Sequence, residues 1–331
     1  MSKAIGLLSG GLDSMLAVCV LREQGVEVLA VAFTTPFFGA ERAERAAAQL
    51  SVPLVVRDIT VAHLEVVRSP RYGHGSGLNP CIDCHALMLA VAGRMMEERG
   101  FDFLFTGEVL GQRPMSQNKN SLRLVARLSG YEDLVLRPLS ARLLPETRPE
   151  REGLVERERL LALSGRGRKP QMELARHYGL TDYPAPAGGC LLTDPIFSRR
   201  LKDLMALTGG APPVRRIELL KVGRHLRLTE HLRLVVGRNE ADNKRLAAAF
   251  RPEEGDRLFV AEGWPGPLAL LPEAGAAPDE EALGQAAAIC LSYSDAPPGT
   301  SGAVKLTGPR GVVARLAATS RPRAQFQAIM I

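Results

Sequence analysis

Two patterns in this chain have residue types and spacing that could do chemistry. The first is SGGLDS at residues 9–14, which ends the apolar run AIGLLS and opens a stretch of helical periodicity. Its glycines let backbone N–H groups approach an anion closely, and the amino-terminal end of the following helix adds partial positive charge. Ser9 and Ser14 add hydroxyl donors, and Asp13 is placed either to cap the helix or to help hold a magnesium ion. A plain strand-to-helix turn needs one glycine and one serine, not this whole set.

The second pattern is a set of thiols. Five cysteines stand at 19, 81, 84, 190 and 290. An odd number is a poor disulfide framework, so metal or redox chemistry is the better reading of the close pair Cys81–Cys84. That pair opens a predicted helix, where the dipole favours a thiolate. As zinc ligands the two lack a second such pair, although His85 is adjacent. Cys190 follows two glycines in PAPAGGCLLTDP (184–195), a stretch too irregular to be simply core. Cys19 (LAVCVL) and Cys290 (AAAICLSY) read as small buried hydrophobes.

These residues need elements to position them. A strand at 4–9 leads to a helix over 13–24, ended by Gly25, and a buried strand over 26–33 that closes on Phe33. A helix at 40–50, a strand at 53–59, a helix at 83–99 and a strand at 101–108 follow. Strands alternating with helices predict an α/β domain with a doubly wound parallel sheet and sites outside the carboxyl ends of its strands. The pattern changes at GGAPP (209–213), a predicted linker, into short β-rich runs with one helix at 241–250. The reading is two domains, 1–208 and a smaller α+β domain at 209–331, with PEAGAAPDEE (272–281) as a surface loop.

A length of 331 residues suits about two domains, and 46% apolar residues suffice for a core. No run of eighteen apolar residues suggests a membrane span, and the first residues reach a strand-and-glycine pattern too soon for a secretory signal. The expectation is a cytoplasmic protein. Its net charge of +6 favours an anionic partner, while aromatics at 5% argue against a surface built mainly for base stacking.

SGGLDS has neither the Walker lysine nor the GxGxxG spacing. It resembles the PP-loop of the ATP-pyrophosphatase superfamily, with an adenine nucleotide alpha-hydrolase-like fold, whose members adenylate a substrate and release pyrophosphate. This resemblance implies ATP and Mg2+ as cofactors and Asp13 as catalytic. It also implies nucleotide contacts at Ser9, Gly10, Gly11, Leu12, Asp13, Ser14, Phe33, Gly107 and Gln112. TGEVLGQRPMSQ (106–117) resembles a stretch of the tRNA 4-thiouridine synthetases, departing from it by one extra residue within Arg113–Met115. Glu108, Gln112 and Gln117 would offer polar contacts to the nucleotide. NPCIDCH (79–85) resembles a segment of the tRNA 2-thiouridylases and other thiolases. Some RNA thiolases pair Asp-x-x-Cys with cysteine redox chemistry, and others use Cys-x-x-Cys plus a distant cysteine to hold a cubane cluster. The second pattern implies Cys81, Cys84 and Cys190 as catalytic residues and as ligands of a [4Fe–4S] cluster with one iron open to hydrosulfide.

The thiolase resemblance covers about residues 1–205. It lacks the amino-terminal RNA-binding extension of the 4-thiouridine synthetases and their carboxyl-terminal rhodanese cysteine. KVGRHLRL, VVGRNEADNKRL and AEGWPGPLALLP instead resemble the NFACT RNA-binding domain, over nearly all of 211–331. Nine lysines and arginines against four acidic residues lie between 215 and 245, among them Arg224 and Arg238, the excess a phosphate-reading surface needs. SGRGRKPQ (164–171) adds Arg166, Arg168 and Lys169, which could grip a tRNA backbone.

The expected activity is tRNA thiolation, in which ATP adenylates a uridine carbonyl oxygen and sulfur replaces it. The 106–117 match favours 4-thiouridine, with 2-thiouridine the alternative. The partners would be tRNA and a sulfur donor, either sulfide or a cysteine desulfurase relay. Sulfur insertion into a small molecule is disfavoured by the basic second domain. An RNA-binding protein that has lost catalysis is disfavoured by the intact SGGLDS and the three cysteines.

Overall fold

The computed structural model describes residues 1–185, 190–273, 275 and 277–331, apart from the side chain of Arg310. The chain divides into two compact units, residues 1–194 and 195–331.

The first unit begins with β1 (Lys3–Leu7), α1 (Leu12–Arg22), β2 (Glu27–Thr34), α2 (Glu41–Leu50), β3 (Leu54–Asp58) and α3 (Thr60–Arg68). It continues with α4 (Cys81–Arg99), β4 (Phe103–Thr106), α5 (Lys119–Ser129), β5 (Val135–Leu136), a single turn α6 (Arg148–Arg151) and α7 (Lys169–His177). The five strands are parallel, in the order β3-β2-β1-β4-β5. Strand residues alternate between two apolar layers. Ala4 and Phe105 join Leu16, Leu21, Ala43 and Ala47 of α1 and α2, whereas Ile5 and Leu104 join Leu89 and Met95 of α4 and Val125 of α5. Helices therefore cover both faces, as expected. Chain order reverses between β1 and β4, so the loops leaving these two strands meet at a topological switch point.

The second unit contains α8 (Pro195–Leu207), α9 (Val214–Leu219), β6 (Arg224–Arg227), β7 (Arg233–Val236), α10 (Glu240–Ala249), β8 (Arg257–Ala261) and β9 (Leu268–Leu271). It ends with α11 (Glu280–Tyr293), β10 (Ser301–Thr307) and β11 (Val313–Thr319). Its sheet is antiparallel, in the order β11-β10-β8-β9-β7-β6. The α+β class agrees with expectation, but 241–250 is not its one helix. The AAAICLSY stretch belongs to α11, with Cys290 fully buried as a core residue.

The division falls at 194/195, not at 208/209. Glycine and proline at 209–213 look like a linker, yet the helix before them is fastened to the second unit. Asp203 of α8 receives Arg233 Nε at 2.6 Å and also pairs with Arg227, and Arg200 donates to the Leu220 carbonyl at 2.9 Å. No helix among the described residues is long and apolar enough to cross a membrane.

Candidate active site

The loop leaving β1 carries Ser9, Gly10 and Gly11, and α1 starts at Leu12. Gly10 has φ +72°, and a Cβ there would meet the Arg42 carbonyl oxygen at 2.3 Å, so glycine is required twice over. Ser14 donates to the Gly11 carbonyl at 2.7 Å and lies 3.3 Å from the Ser9 hydroxyl. The first amides of α1 have no intrahelical acceptor, the arrangement in which a helix start can receive an anion. The Leu12 side chain is buried, leaving only its backbone for a ligand. Phe33 is the penultimate residue of β2, and its ring is buried with Ile59 and Leu89 in the core, so contact with a nucleotide would fall to its backbone.

Asp13 does not cap α1, whose N-cap is Gly11. Its Oδ2 accepts from Gln112 Nε2 at 2.9 Å, and its Oδ1 is buried without a partner. A buried carboxylate oxygen with no donor suits a hard cation, so the site fits Mg2+. Gly107 presses the loop after β4 onto this one: a Cβ there would lie 2.5 Å from backbone atoms of Asp13 and Ser14.

Glu108 departs from expectation. Its carboxylate faces inward and receives Thr106 Oγ1, Arg137 Nε and His85 Nδ1, each at 3.0 Å. Burial pushes its pKa up, but Arg137 and His85 outweigh burial and pull it down to about 2. With these acceptors occupied, Glu108 organises the site and does not reach for the nucleotide. Arg137 also holds the Leu122 carbonyl at 2.9 Å, and both ion-pair partners are buried. Arg137→Ala is therefore expected to destabilise the first unit by about 3–5 kcal/mol, since it leaves a buried charge uncompensated. Urea unfolding checks this; a loss below ~1 kcal/mol would mean that water reaches the carboxylate.

The TGEVLGQ loop closes through Gly111 N–H to the Gln117 carbonyl at 2.7 Å, with the Gln117 side chain buried, its Oε1 unpartnered. It also binds the basic loop, because Gly165 N–H donates to the Leu110 carbonyl at 2.7 Å and Leu110 bridges Ser164. Arg166, Arg168 and Lys169 thus stand beside the site, Arg166 and Lys169 exposed and Arg168 with a buried, unpartnered Nε.

Cys81 and Cys84 occupy the first turn of α4. The Leu78 N–H donates to the Leu192 carbonyl at 3.0 Å, which ties the turn after Cys190 to the loop before α4. The three thiols feel one another's charge: Cys81 and Cys190 both raise the pKa of Cys84, and Cys81 that of Cys190. Burial is the larger effect and pushes all three thiols up, so it overrides the helix-start preference for thiolate. The positive charge of Arg113, in the segment that departs from the thiouridine synthetase pattern, partly opposes burial at Cys81 and Cys190. Gly188 and Gly189, before Cys190, lie outside the described residues. Among the described residues no three His, Cys, Asp or Glu groups converge on a single metal-ion position.

The parts played by three further residues escaped sequence analysis. His63 is fully buried, its Nε2 3.2 Å from Cys84 Sγ and its ring against Phe37 and Phe38, and burial lowers its pKa to about 4. Nothing in TVAHLEVVR distinguishes it from a core histidine on an apolar helix. Thr106 stands in the quoted 106–117 stretch, but its bond to Glu108 two residues on was not foreseen, and Arg137 carries no spacing signal, because a loop 29 residues past Glu108 meets it only in the fold.

In the second unit the expected RNA contacts are already partnered. Arg224 stacks 5.1 Å from the Tyr293 ring centroid and donates to the Gly237 carbonyl at 3.2 Å, and Arg238 donates to Asp242 at 2.6 Å. Arg224 lies on the edge strand β6, its acceptor Gly237 directly precedes Arg238, and Arg323 stacks 5.6 Å from the Tyr293 ring that Arg224 also covers. Several neighbouring cations are also paired: Arg215 with Glu254 and Asp256, Lys221 with Glu218, and Lys244 with Glu240.

Residues 1–142 match the family model of the thiamine biosynthesis protein ThiI, and residues 223–328 match that of the NFACT protein RNA binding domain. The chain joins a ThiI-family domain to an NFACT-type RNA-binding domain. Solved structures overlap it more loosely. A 4-thiouridine synthetase–RNA complex with bound ATP shares 23% identity, covering 66% of this chain and 52% of its own, with a TM-score of 0.38. A predicted subunit of tRNA methyltransferase from Methanocaldococcus jannaschii shares 13% identity, over 65% of this chain and 91% of that one, at a TM-score of 0.38. The C-terminal part of the fibronectin/fibrinogen-binding protein of Streptococcus suis shares 16%, over 49% and 76%, at 0.28.

Proposed function

We propose that this protein is an ATP-dependent tRNA sulfurtransferase. One observation carries the reading: SGGLDS, the Glu108 turn and the cysteine-bearing start of α4 are linked by contact in a ThiI-family domain. In the reaction a uracil carbonyl oxygen attacks the α-phosphorus of ATP, pyrophosphate leaves toward the α1 amides, and ring N3 gives up its proton. Hydrosulfide then forms the C–S bond, the C–O bond breaks to release AMP, and the sulfur-borne proton returns to N3. The match at 106–117 favours position 4, with 2-thiouridine the alternative. Asp13, whose Oδ1 is buried without a partner, would hold a Mg2+ ion, which when bound would stabilise the charge that gathers on the phosphates. Incubation with tRNA, ATP and sulfide, followed by nucleoside analysis, tests this.

Cys81, Cys84 and Cys190 would hold a [4Fe–4S] cluster, which when bound supplies an iron position for inorganic sulfide. The three thiols influence one another electrostatically, and in a cubane each would ligate a different iron. Buried thiols with raised pKa are also poor nucleophiles unaided, while a coordinated metal deprotonates them.

The second unit would bind tRNA, supported by its match to an RNA-binding domain and by the neighbouring arginines Arg224, Arg238 and Arg323. Arg166, Arg168 and Lys169 would hold the backbone near the reacting uridine. Arg224→Ala with Arg238→Ala in the full chain is expected to weaken tRNA binding and flatten its salt dependence by about one for each phosphate no longer neutralised. An unchanged salt slope would assign these arginines to another role.

A further inference from the structure

His85 sits between the two halves of the candidate site. It follows Cys84 in α4, and it is bonded to Glu108, whose chain neighbour Gly107 abuts Asp13 and Ser14. His85 therefore lies in the chain of contacts that joins the loop after β1 to the cysteine-bearing start of α4.

The bond to Glu108 fixes which face of the imidazole is available. Arg137 and Thr106 donate to the Glu108 carboxylate, which can only accept, so the proton of a neutral His85 ring resides on Nδ1. Nε2 then carries a lone pair. The His85 side chain retains 30% of its exposure, whereas that of Glu108 retains 8%, so the ring opens toward solvent while its orienting partner is sealed. A rigidly held acceptor recognises a donor. Uracil has one ring donor on its pairing edge, N3–H, flanked by both carbonyl oxygens, whereas N3 of cytosine is an acceptor.

We propose that His85 is a specificity-determining residue that reads the target base, its Nε2 accepting a hydrogen bond from uracil N3–H. This rests on the proposed tRNA sulfurtransferase activity and deepens it. Gripping N3 places O4 and O2 on either side of the histidine, so the proposal holds for either position of thiolation. Cytosine is refused because two acceptors would face each other, leaving the buried pair without its proton.

The test uses the full chain and the uridine that nucleoside analysis identifies as thiolated. Transcripts carrying uridine or 3-methyluridine there are compared by their dissociation constants, without ATP. The wild type is expected to prefer uridine by on the order of 10-fold or more, and His85→Ala to bind the two alike. His85→Asn, which keeps a side-chain acceptor, should restore part of the preference. ATP affinity should be unchanged in both variants, since the hydrogen bond of His85 among the described residues goes to Glu108 and not to the SGGLDS loop. A preference that survives in His85→Ala overturns the proposal, as does a parallel fall in ATP affinity, which would make His85 a purely structural tie. If the wild type thiolates no uridine in any tRNA, the sulfurtransferase reading itself fails and this one falls with it.

Discussion

Asp13→Asn will reduce AMP and pyrophosphate formation by on the order of 100- to 1000-fold, with little change in stability. Asparagine keeps the shape of the side chain and can still accept from Gln112, so the change isolates the charge. What disappears is the buried, charged Oδ1 position, which in the native chain has no donor and suits a divalent ion. Mn2+ binding in the presence of ATP, followed by electron paramagnetic resonance, should weaken in step with turnover. Gln112→Ala should have a smaller effect in the same direction, because it loosens the carboxylate without removing it. Normal Mn2+ affinity in Asp13→Asn would move the metal role to another residue.

Cys84→Ala is expected to abolish iron binding altogether and thiolation with it. Two mechanisms separate here. If Cys81 and Cys190 exchange a persulfide and a disulfide, the middle thiol has no task and its removal is tolerated. If three thiolates hold a cubane, each is needed. Cys84 is the most buried of the three and sits 3.2 Å from His63, so a Cys84→Ser variant controls for packing: it should fold and still lack iron. Iron and acid-labile sulfide analysis of anaerobically reconstituted protein provides the readout. Changes at Cys19 or Cys290 should leave iron content intact, because Cys290 is a core residue and Cys19 packs on the layer between α1 and the sheet. Full thiolation by iron-free protein, or by Cys84→Ala, would decide for the persulfide.

Much of the first unit was legible because its signals are local. Alternating apolar runs and helical periodicity place β1 to β4 and α1, α2 and α4 within a few residues, and Gly25 and Gly100 end α1 and α4 by ordinary backbone rules. SGGLDS was legible for the same reason: anion binding at a strand–helix junction is encoded in consecutive residues. Glu108 was misread because its sequence neighbourhood, a polar loop, hides a partner 29 residues away that draws the carboxylate inward. The domain division was misplaced for a related reason. Glycine and proline mark where a chain can bend, whereas Asp203 with Arg227 and Arg233 marks where it is held. The arginine excess of the second unit was visible in composition, but its pairing with Asp242, Glu254 and Asp256 was not. Charge counts report total charge and not how much of it is already satisfied.

In the proposed reaction, ATP cleavage serves to put sulfur on a tRNA base. The most direct measurement is the yield of AMP against thiolated nucleoside, by chromatography and mass spectrometry, from tRNA, ATP, Mg2+ and sulfide incubated with anaerobically prepared protein. AMP and pyrophosphate should form one for one with thiouridine, with none of the nucleoside when ATP or tRNA is withheld. Release of ADP and phosphate, or AMP formation with no sulfur entering the tRNA, would contradict the proposed reaction.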